Sequence, residues 1–357
     1  MHLRTILCLL CCAALLCCAA PALAQDETAP VPQTFTISLA GDCTLASEGR
    51  LQSRYDGFVG LVAEKGFDWP FSAVRDIFLQ DDLTLVNLEG TFTNLKKGAD
   101  KKFTFRAPPE YADVLTLGSV EAVNLANNHS MDYGQQGFAD TKAALDARGI
   151  AYCAPNEPTV VEVSGLRIAL LGATYPLSRK VGPLYDQIAA YRADGVDLVV
   201  VSYHWGKETS TKQLRDQIEI AHKTIDSGAD IVVGTHPHVL QGMELYEGKP
   251  IFYSLGNFSF GGHLSPHDFD TAIMQLTYEM TPEGLRLSLL QAIPCLITER
   301  PFGEKQDYRP ILTDDEETVR RIFRKLAYRT QGLPEDFFTT GLYSPDSQER
   351  TAQEVSP

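Results

Sequence analysis

Short apolar runs that stop abruptly at small or polar residues recur along this chain. Phe35-Thr36-Ile37-Ser38-Leu39 alternates with period two and breaks into Ala40-Gly41-Asp42-Cys43-Thr44. Leu83-Thr84-Leu85-Val86 breaks into Asn87-Leu88-Glu89-Gly90, and the run 120–125 breaks into Ala126-Asn127-Asn128-His129, with Asp132 and Gly134 just beyond. Leu198 to Val201 gives way to Ser202-Tyr203-His204-Trp205-Gly206-Lys207-Glu208. Ile231-Val232-Val233 ends at Gly234 and hands over to Thr235-His236-Pro237-His238. Such runs read as buried parallel strands, and in open α/β sheets ligands bind beyond the carboxyl ends of the strands.

Between the runs the spacing predicts helices over 57–65, 70–80, 109–117, 135–148, 184–194 and 212–227. A hairpin is expected at 159–163 and 167–172, around Ser164-Gly165. A second alternating pair, 270–280 and 284–293, turns at Pro282-Glu283-Gly284, and a charged amphipathic helix covers 314–329. The fold class is therefore α/β. The expected organisation is a signal peptide at 1–24, a polar flexible leader at 25–33, a main domain over 34–300, a helical extension at 301–340 and a disordered polar tail at 341–357.

The signal reading rests on Arg4, the apolar stretch Ile6 to Leu16 and the small-residue cleavage pattern Ala22-Leu23-Ala24. It predicts an extracytoplasmic protein, periplasmic or secreted, with no transmembrane anchor after cleavage. Five of the eight cysteines leave with the signal. Cys43, Cys153 and Cys295 remain, which permits at most one disulfide and does not say which. Loss of Arg4 leaves 30 basic against 46 acidic side chains, a net of −16. A chain of that charge has no general attraction for nucleic acid or an anionic membrane, and the doublets Lys96-Lys97 and Lys101-Lys102 read as solvated loop residues.

The chemistry lies at the strand ends. His236 and His238, at i and i+2, point the same way from an extended segment, and Pro237 pushes His236 toward extended geometry. With Asp42, Glu89, Asn128 and His204 they make a mixed N/O set suited to Zn, Mn or Fe, as one or two divalent ions. A two-metal site, with ions about 3.5–4 Å apart, activates water for in-line attack on phosphorus. His129, three residues before Asp132, fits a non-ligating general acid whose ring the carboxylate orients. Arg106 is a candidate clamp for a carboxylate or phosphate of the substrate. Glu208 reads as a surface carboxylate, and Asn257 as a residue closing a turn behind the histidines.

Taken in order and spacing, Gly41-Asp42, Asn87-Leu88-Glu89-Gly90, Leu125-Ala126-Asn127-Asn128-His129, His204-Trp205-Gly206, Gly234-Thr235-His236-Pro237-His238-Val239 and Tyr253-Ser254-Leu255-Gly256-Asn257-Phe258 resemble the CapA family of poly-γ-glutamate capsule biosynthesis proteins. The resemblance covers roughly 34–300. That family is in turn similar to calcineurin-like metallophosphoesterases, which implies a four-layer α/β/β/α sandwich. It also implies metal ligation by Asp42, Glu89, Asn128, His204, His236 and His238, with His129 catalytic. Two positions depart from the phosphoesterase pattern: Thr44 stands where a histidine is usual, and Glu89 replaces an aspartate. The expected function is capsule or cell-surface polymer biosynthesis, acting on an anionic polymer or a phosphoester. A phosphoesterase-type hydrolase, an amidase cutting γ-glutamyl bonds and a non-catalytic partner of a membrane synthase all remain open.

Overall fold

The computed structural model describes residues 34–174 and 181–345; the predicted signal and leader lie outside them. Two large sheets carry the chain. The first has nine strands, with a path running Ile311–Leu312, Gly284–Leu296, Asp270–Thr281, Thr34–Thr44, Leu83–Leu88, Ala122–Asn124 and Ala151–Cys153. Asn257–Phe260 joins it beside Thr34–Thr44, and Leu342–Tyr343 beside Gly284–Leu296. The second has six strands in the order Met243–Tyr246, Lys249–Phe252, Ile231–Thr235, Leu198–His204, Leu166–Thr174 and Thr159–Val163. A small third sheet pairs Ser47–Glu48, Phe105–Ala107 and Thr91–Phe92.

Alternation along the strands sorts the side chains into separate cores. Phe35, Ile37, Leu83 and Leu85 of the first sheet share one buried cluster with Ile168, Leu198, Val200 and Ile231 of the second. The next residues along, Val86 and Leu88, face away into a cluster with Phe58, Phe71, Val114 and Leu145. On the second sheet, Val199, Val201 and Val232 likewise turn outward onto Leu184, Ile188, Ala221 and Ile225. Burial on both faces explains why these strands read as nearly continuous apolar runs.

One irregularity sets up the site. The register between Thr34–Thr44 and Leu83–Leu88 slips between Leu39 and Asp42: Leu39 pairs with Leu85, but Asp42 pairs with Asn87. The extra residue reverses the alternation, as a β-bulge does. Phe35, Ile37 and Leu39 face the second sheet, and beyond the bulge Asp42 takes over that direction. Gly41 sits in the bulge where a Cβ would lie 2.1 Å from Gly256 O. Only glycine allows the two backbones this close.

The predicted elements form, with local differences. The 70–80 helix is two pieces, a 3₁₀ turn at Trp69–Phe71 and a short helix at Arg75–Phe78. Five further short strands were hidden: Ser47–Glu48, Thr91–Phe92, Ala151–Cys153, Met243–Tyr246 and Asn257–Phe260. The last falls where the pattern reads as a break. The expected helical extension holds Glu316–Leu326 and Phe337–Thr340 but also the strand Ile311–Leu312. Within the predicted tail, Leu342–Tyr343 pairs with the first sheet, and 346–357 lie outside the described residues. Cys43, Cys153 and Cys295 are buried and unpaired, and burial pushes each thiol up to about 12, so none is a ready nucleophile. Among the described residues no helix is long and apolar enough to cross a membrane.

Candidate metal centre

Asp42, Glu89, Asn128, His204, His236 and His238 come together where the strands of the two sheets end. The tightest group is Glu89, His236 and His238, whose donor atoms all lie within 4.8 Å of one another. Two imidazoles and a carboxylate at this spacing can hold a divalent metal ion. A further observation supports the fit. Glu89 is fully buried, and its Oε1 has no hydrogen-bond partner. The other oxygen, Oε2, accepts a hydrogen bond from Thr44 Oγ1 at 3.2 Å. A buried carboxylate oxygen left bare is costly unless a cation or donor completes it. Thr44 therefore supplies a hydroxyl that orients Glu89 and leaves one oxygen open.

His236 and His238 both adopt positive φ, 96° and 58°. His236 thus avoids the helical region, as expected before proline, but it is not extended. Each such residue costs roughly 1–3 kcal/mol, which the surrounding contacts must offset. Here Asp42 Oδ2 accepts the backbone N–H of His236 at 3.1 Å and lies 3.4 Å from His238 Nδ1. Asn257 holds the other side, with Oδ1 2.9 Å from His238 Nδ1 and Nδ2 donating to His238 O at 3.3 Å. Asn257, expected behind the histidines, thus braces His238 directly.

Asn87 is the hub beneath the histidines. Its Nδ2 donates to Asp42 Oδ1 at 2.7 Å and lies 3.3 Å from His204 Nδ1. Its Oδ1 accepts from Asn124 at 2.9 Å and from Asn127 at 3.2 Å. His204, 1% exposed, has Nε2 within 3.4 Å of Glu89 Oε1, 3.1 Å of His236 Nδ1 and 2.9 Å of Asn128 Oδ1. Asp42, Asn128 and His204 therefore line the centre and orient the triad.

Electrostatics follow this packing. Burial, followed by the neighbouring His204, pushes His236 down to about 4, which keeps its imidazole neutral. Burial acts the same way on His238, but Glu89 and Asp42 outweigh it and raise the ring to about 10. Burial alone would raise the Glu89 carboxyl; His238, His204 and His129 hold it below the usual carboxylate range.

His129 stands beside the triad, with Nε2 3.9 Å from Glu89 Oε1. Its Nδ1 lies 2.8 Å from Asp132 Oδ2, which also accepts the Phe105 N–H at 2.6 Å. The Phe105 ring covers the imidazole at 4.3 Å between centroids. Lys101 pairs with the buried Asp132 and donates to Asn128 O at 2.8 Å, so it is not the free loop lysine its doublet suggests.

Arg106 lies in the small third sheet, one residue beyond Phe105. Strand alternation turns it away from the face on which Phe105 meets His129. Its guanidinium is buried, donates to Thr93 O at 3.4 Å and lies 5.8 Å from the Tyr133 ring. Its Nε is buried and has no hydrogen-bond partner. Sequence reasoning also passed over Asn87, Asn127 and Thr235, whose Oγ1 is 3.1 Å from His204 Nδ1. Polar residues on the inward face of apolar strands were the available signal for Asn87 and Thr235.

The sheets and the centre define a mixed α/β protein with a candidate His/Glu metal site at converging strand ends. The model of the bacterial capsule synthesis protein PGA_cap family matches residues 36–262, and the chain belongs to that family. It is 33% identical over 285 residues to the PGA biosynthesis protein CapA of Bacillus subtilis, covering 71% of this chain and 74% of that one. It is also 33% identical over 268 residues to the capsule biosynthesis protein CapA of Bacillus anthracis, covering 67% of this chain and 64% of that one. A probable polyglutamine synthesis accessory protein of Mycobacterium tuberculosis is 28% identical over 331 residues, covering 80% and 84%.

Proposed function

We propose that this protein is an exported, metal-dependent hydrolase of the phosphoesterase type that serves poly-γ-glutamate capsule biosynthesis. Family membership and the names of its relatives support the capsule role, and the N-terminal signal pattern supports export. The three apolar cores, one between the sheets and one outside each, support the α/β/β/α arrangement of calcineurin-like metallophosphatases. The single observation that carries the chemistry is the bare, buried Glu89 Oε1 within reach of His236 and His238.

Glu89, His236 and His238 hold one divalent ion, with Asp42, Asn128 and His204 around it. When bound, the ion supplies Lewis acidity and activates water at neutral pH. The chain's own residues do the rest. Asp132 accepts a hydrogen bond from His129 Nδ1–H and fixes the ring, so that Nε2 faces the centre and can deliver a proton to a leaving oxygen. Phe105 keeps solvent off one face of that imidazole, and Lys101 balances the buried charge of Asp132.

The test is hydrolysis of a phosphomonoester, a phosphodiester and a γ-linked glutamate chain before and after Mn²⁺ or Zn²⁺ loading. The proposal expects metal-dependent ester turnover that His129→Ala lowers by about 10²–10⁴-fold while metal content is kept. Shortening of the glutamate chain without ester turnover would assign an amidase instead. Full metal with no turnover on any of them would assign a non-catalytic accessory protein, the reading that the name of the mycobacterial relative favours.

A further inference from the structure

The short strand Asn257–Phe260 ends in a glycine pair, Gly261-Gly262, that touches two supports of the candidate centre. On one side of the pair, the Phe260 ring lies 5.0 Å from the ring of His238. Gly262 leaves that ring its place, since a Cβ there would come 2.6 Å from Phe260 Cζ. Gly261 N–H donates to Thr44 O at 2.8 Å, on the residue whose hydroxyl orients Glu89. Phe260, His263, Pro266 and His267 also line a cavity of about 340 Å³ that His129 and His238 border. From His263 onward this wall lies beyond the residues 36–262 that the family model matches.

What holds the wall comes from still further along the chain. Residues 304–308 run past 259–265 in the opposite direction and form no strand there. Ser259 Oγ donates to Tyr308 O at 2.9 Å, and Ser265 Oγ to Glu304 O at 2.8 Å. Between them Gln306, 3% exposed, makes three bonds. Its backbone N–H donates to Leu264 O at 2.9 Å, and its Nε2 to Phe260 O at 2.7 Å and His263 O at 2.5 Å. The far end of the wall is fixed from the same part of the chain. Arg321 binds both carboxylate oxygens of the buried Asp270, and Lys325 pairs with Asp268 and Asp270.

One amide thus gathers the carbonyls on either side of the glycine pair. Glycines have no side chain with which to hold a turn, and their backbone is the freest of any residue. Resting on the metal site of the function proposed above, we propose that Gln306 is a positioning residue for the metal centre. By fixing the turn Gly261-Gly262 it holds Phe260 against His238, so the segment 304–308 sets the affinity of a site to which it gives no ligand.

The test is the affinity of the full chain for Zn²⁺ and Mn²⁺, by competition with a chelator, alongside hydrogen exchange of the backbone amides. Gln306→Met keeps the length of the side chain and removes its donors. It should speed exchange within 259–265 and weaken both ions by about tenfold, the low end for losing a group that orients a ligand. Phe260→Leu should weaken them by a similar factor. The double variant should lose little more than either alone, because both act through one contact. A purely structural role would lower Tm and leave ion affinity where it was. Ser265→Ala loosens the same strap at a half-buried hydroxyl. It should give a smaller loss of the same sign, and it decides the matter if Gln306→Met does not fold. Unchanged ion affinity in these variants, or losses that add in full, would overturn the positioning role and leave the proposed function standing. A native chain that takes up neither ion would overturn both.

Discussion

Thr44 donates its hydroxyl to Glu89 Oε2 at 3.2 Å, and Glu89 Oε1 is left bare toward the histidines. The Thr44 hydroxyl thus fixes one oxygen of Glu89 and turns the other toward the histidines. Thr44→Val keeps the shape of this fully buried side chain and removes the bond. It should cost about 1–3 kcal/mol by leaving Oε2 unsatisfied. It should also lower metal affinity by about tenfold or more, as loss of a ligand's orienting partner does. Urea denaturation of the metal-free protein and a chelator competition measure the two effects separately.

Asn87 joins Asp42, Asn124 and Asn127 and reaches His204 from one buried amide. Asn87→Ala would strip partners from several buried groups at once, so a destabilisation of about 2–3 kcal/mol is expected. Thermal unfolding checks it. Loss of less than about 0.5 kcal/mol, the size of an ordinary surface change, would contradict the hub role.

Much of this centre was legible in the chain because apolar strands announce themselves and their ends are where α/β folds build sites. Asp42, Glu89, His204, His236 and His238 all lie at such breaks and do converge. What was not legible depends on geometry that has no local signature. The bulge between Leu39 and Asp42 decides which face Asp42 takes, and simple alternation gives the wrong one. Asn257 looked like a turn residue because its short strand is held by pairing with Asp42, far away in sequence.

Gly234 lies inside the strand Ile231–Thr235 where two backbones and an indole meet. A Cβ there would sit 2.1 Å from Tyr253 O and 2.4 Å from Trp205 Nε1. Trp205 Nε1 donates to that same carbonyl at 2.9 Å. Gly234→Ala should therefore break this bond and cost about 1–3 kcal/mol of overpacking. A lowered Tm together with altered Trp205 fluorescence is the expected result.

Just before the strand Ala122–Asn124, burial pushes the Glu121 carboxyl from 4.5 up to about 7, despite the hydrogen bond it accepts from the Thr84 N–H. The folded state binds this proton more tightly than the unfolded chain. Its contribution is full below about 4.5 and is lost as pH rises through about 7. Stability should fall across that window, and Glu121→Gln should flatten the fall. An unchanged pH profile in the variant would show that Glu121 is not the group responsible.

The central claim is that Glu89, His236 and His238 hold a divalent ion. Elemental analysis of the purified protein tests it most directly, with the double variant His236→Ala/His238→Ala alongside. The account predicts about one ion per chain in the native protein and almost none in a variant that keeps its circular dichroism. Metal retained by the folded variant, or a native protein that takes up no metal when offered Mn²⁺, Zn²⁺ or Fe²⁺, would contradict it.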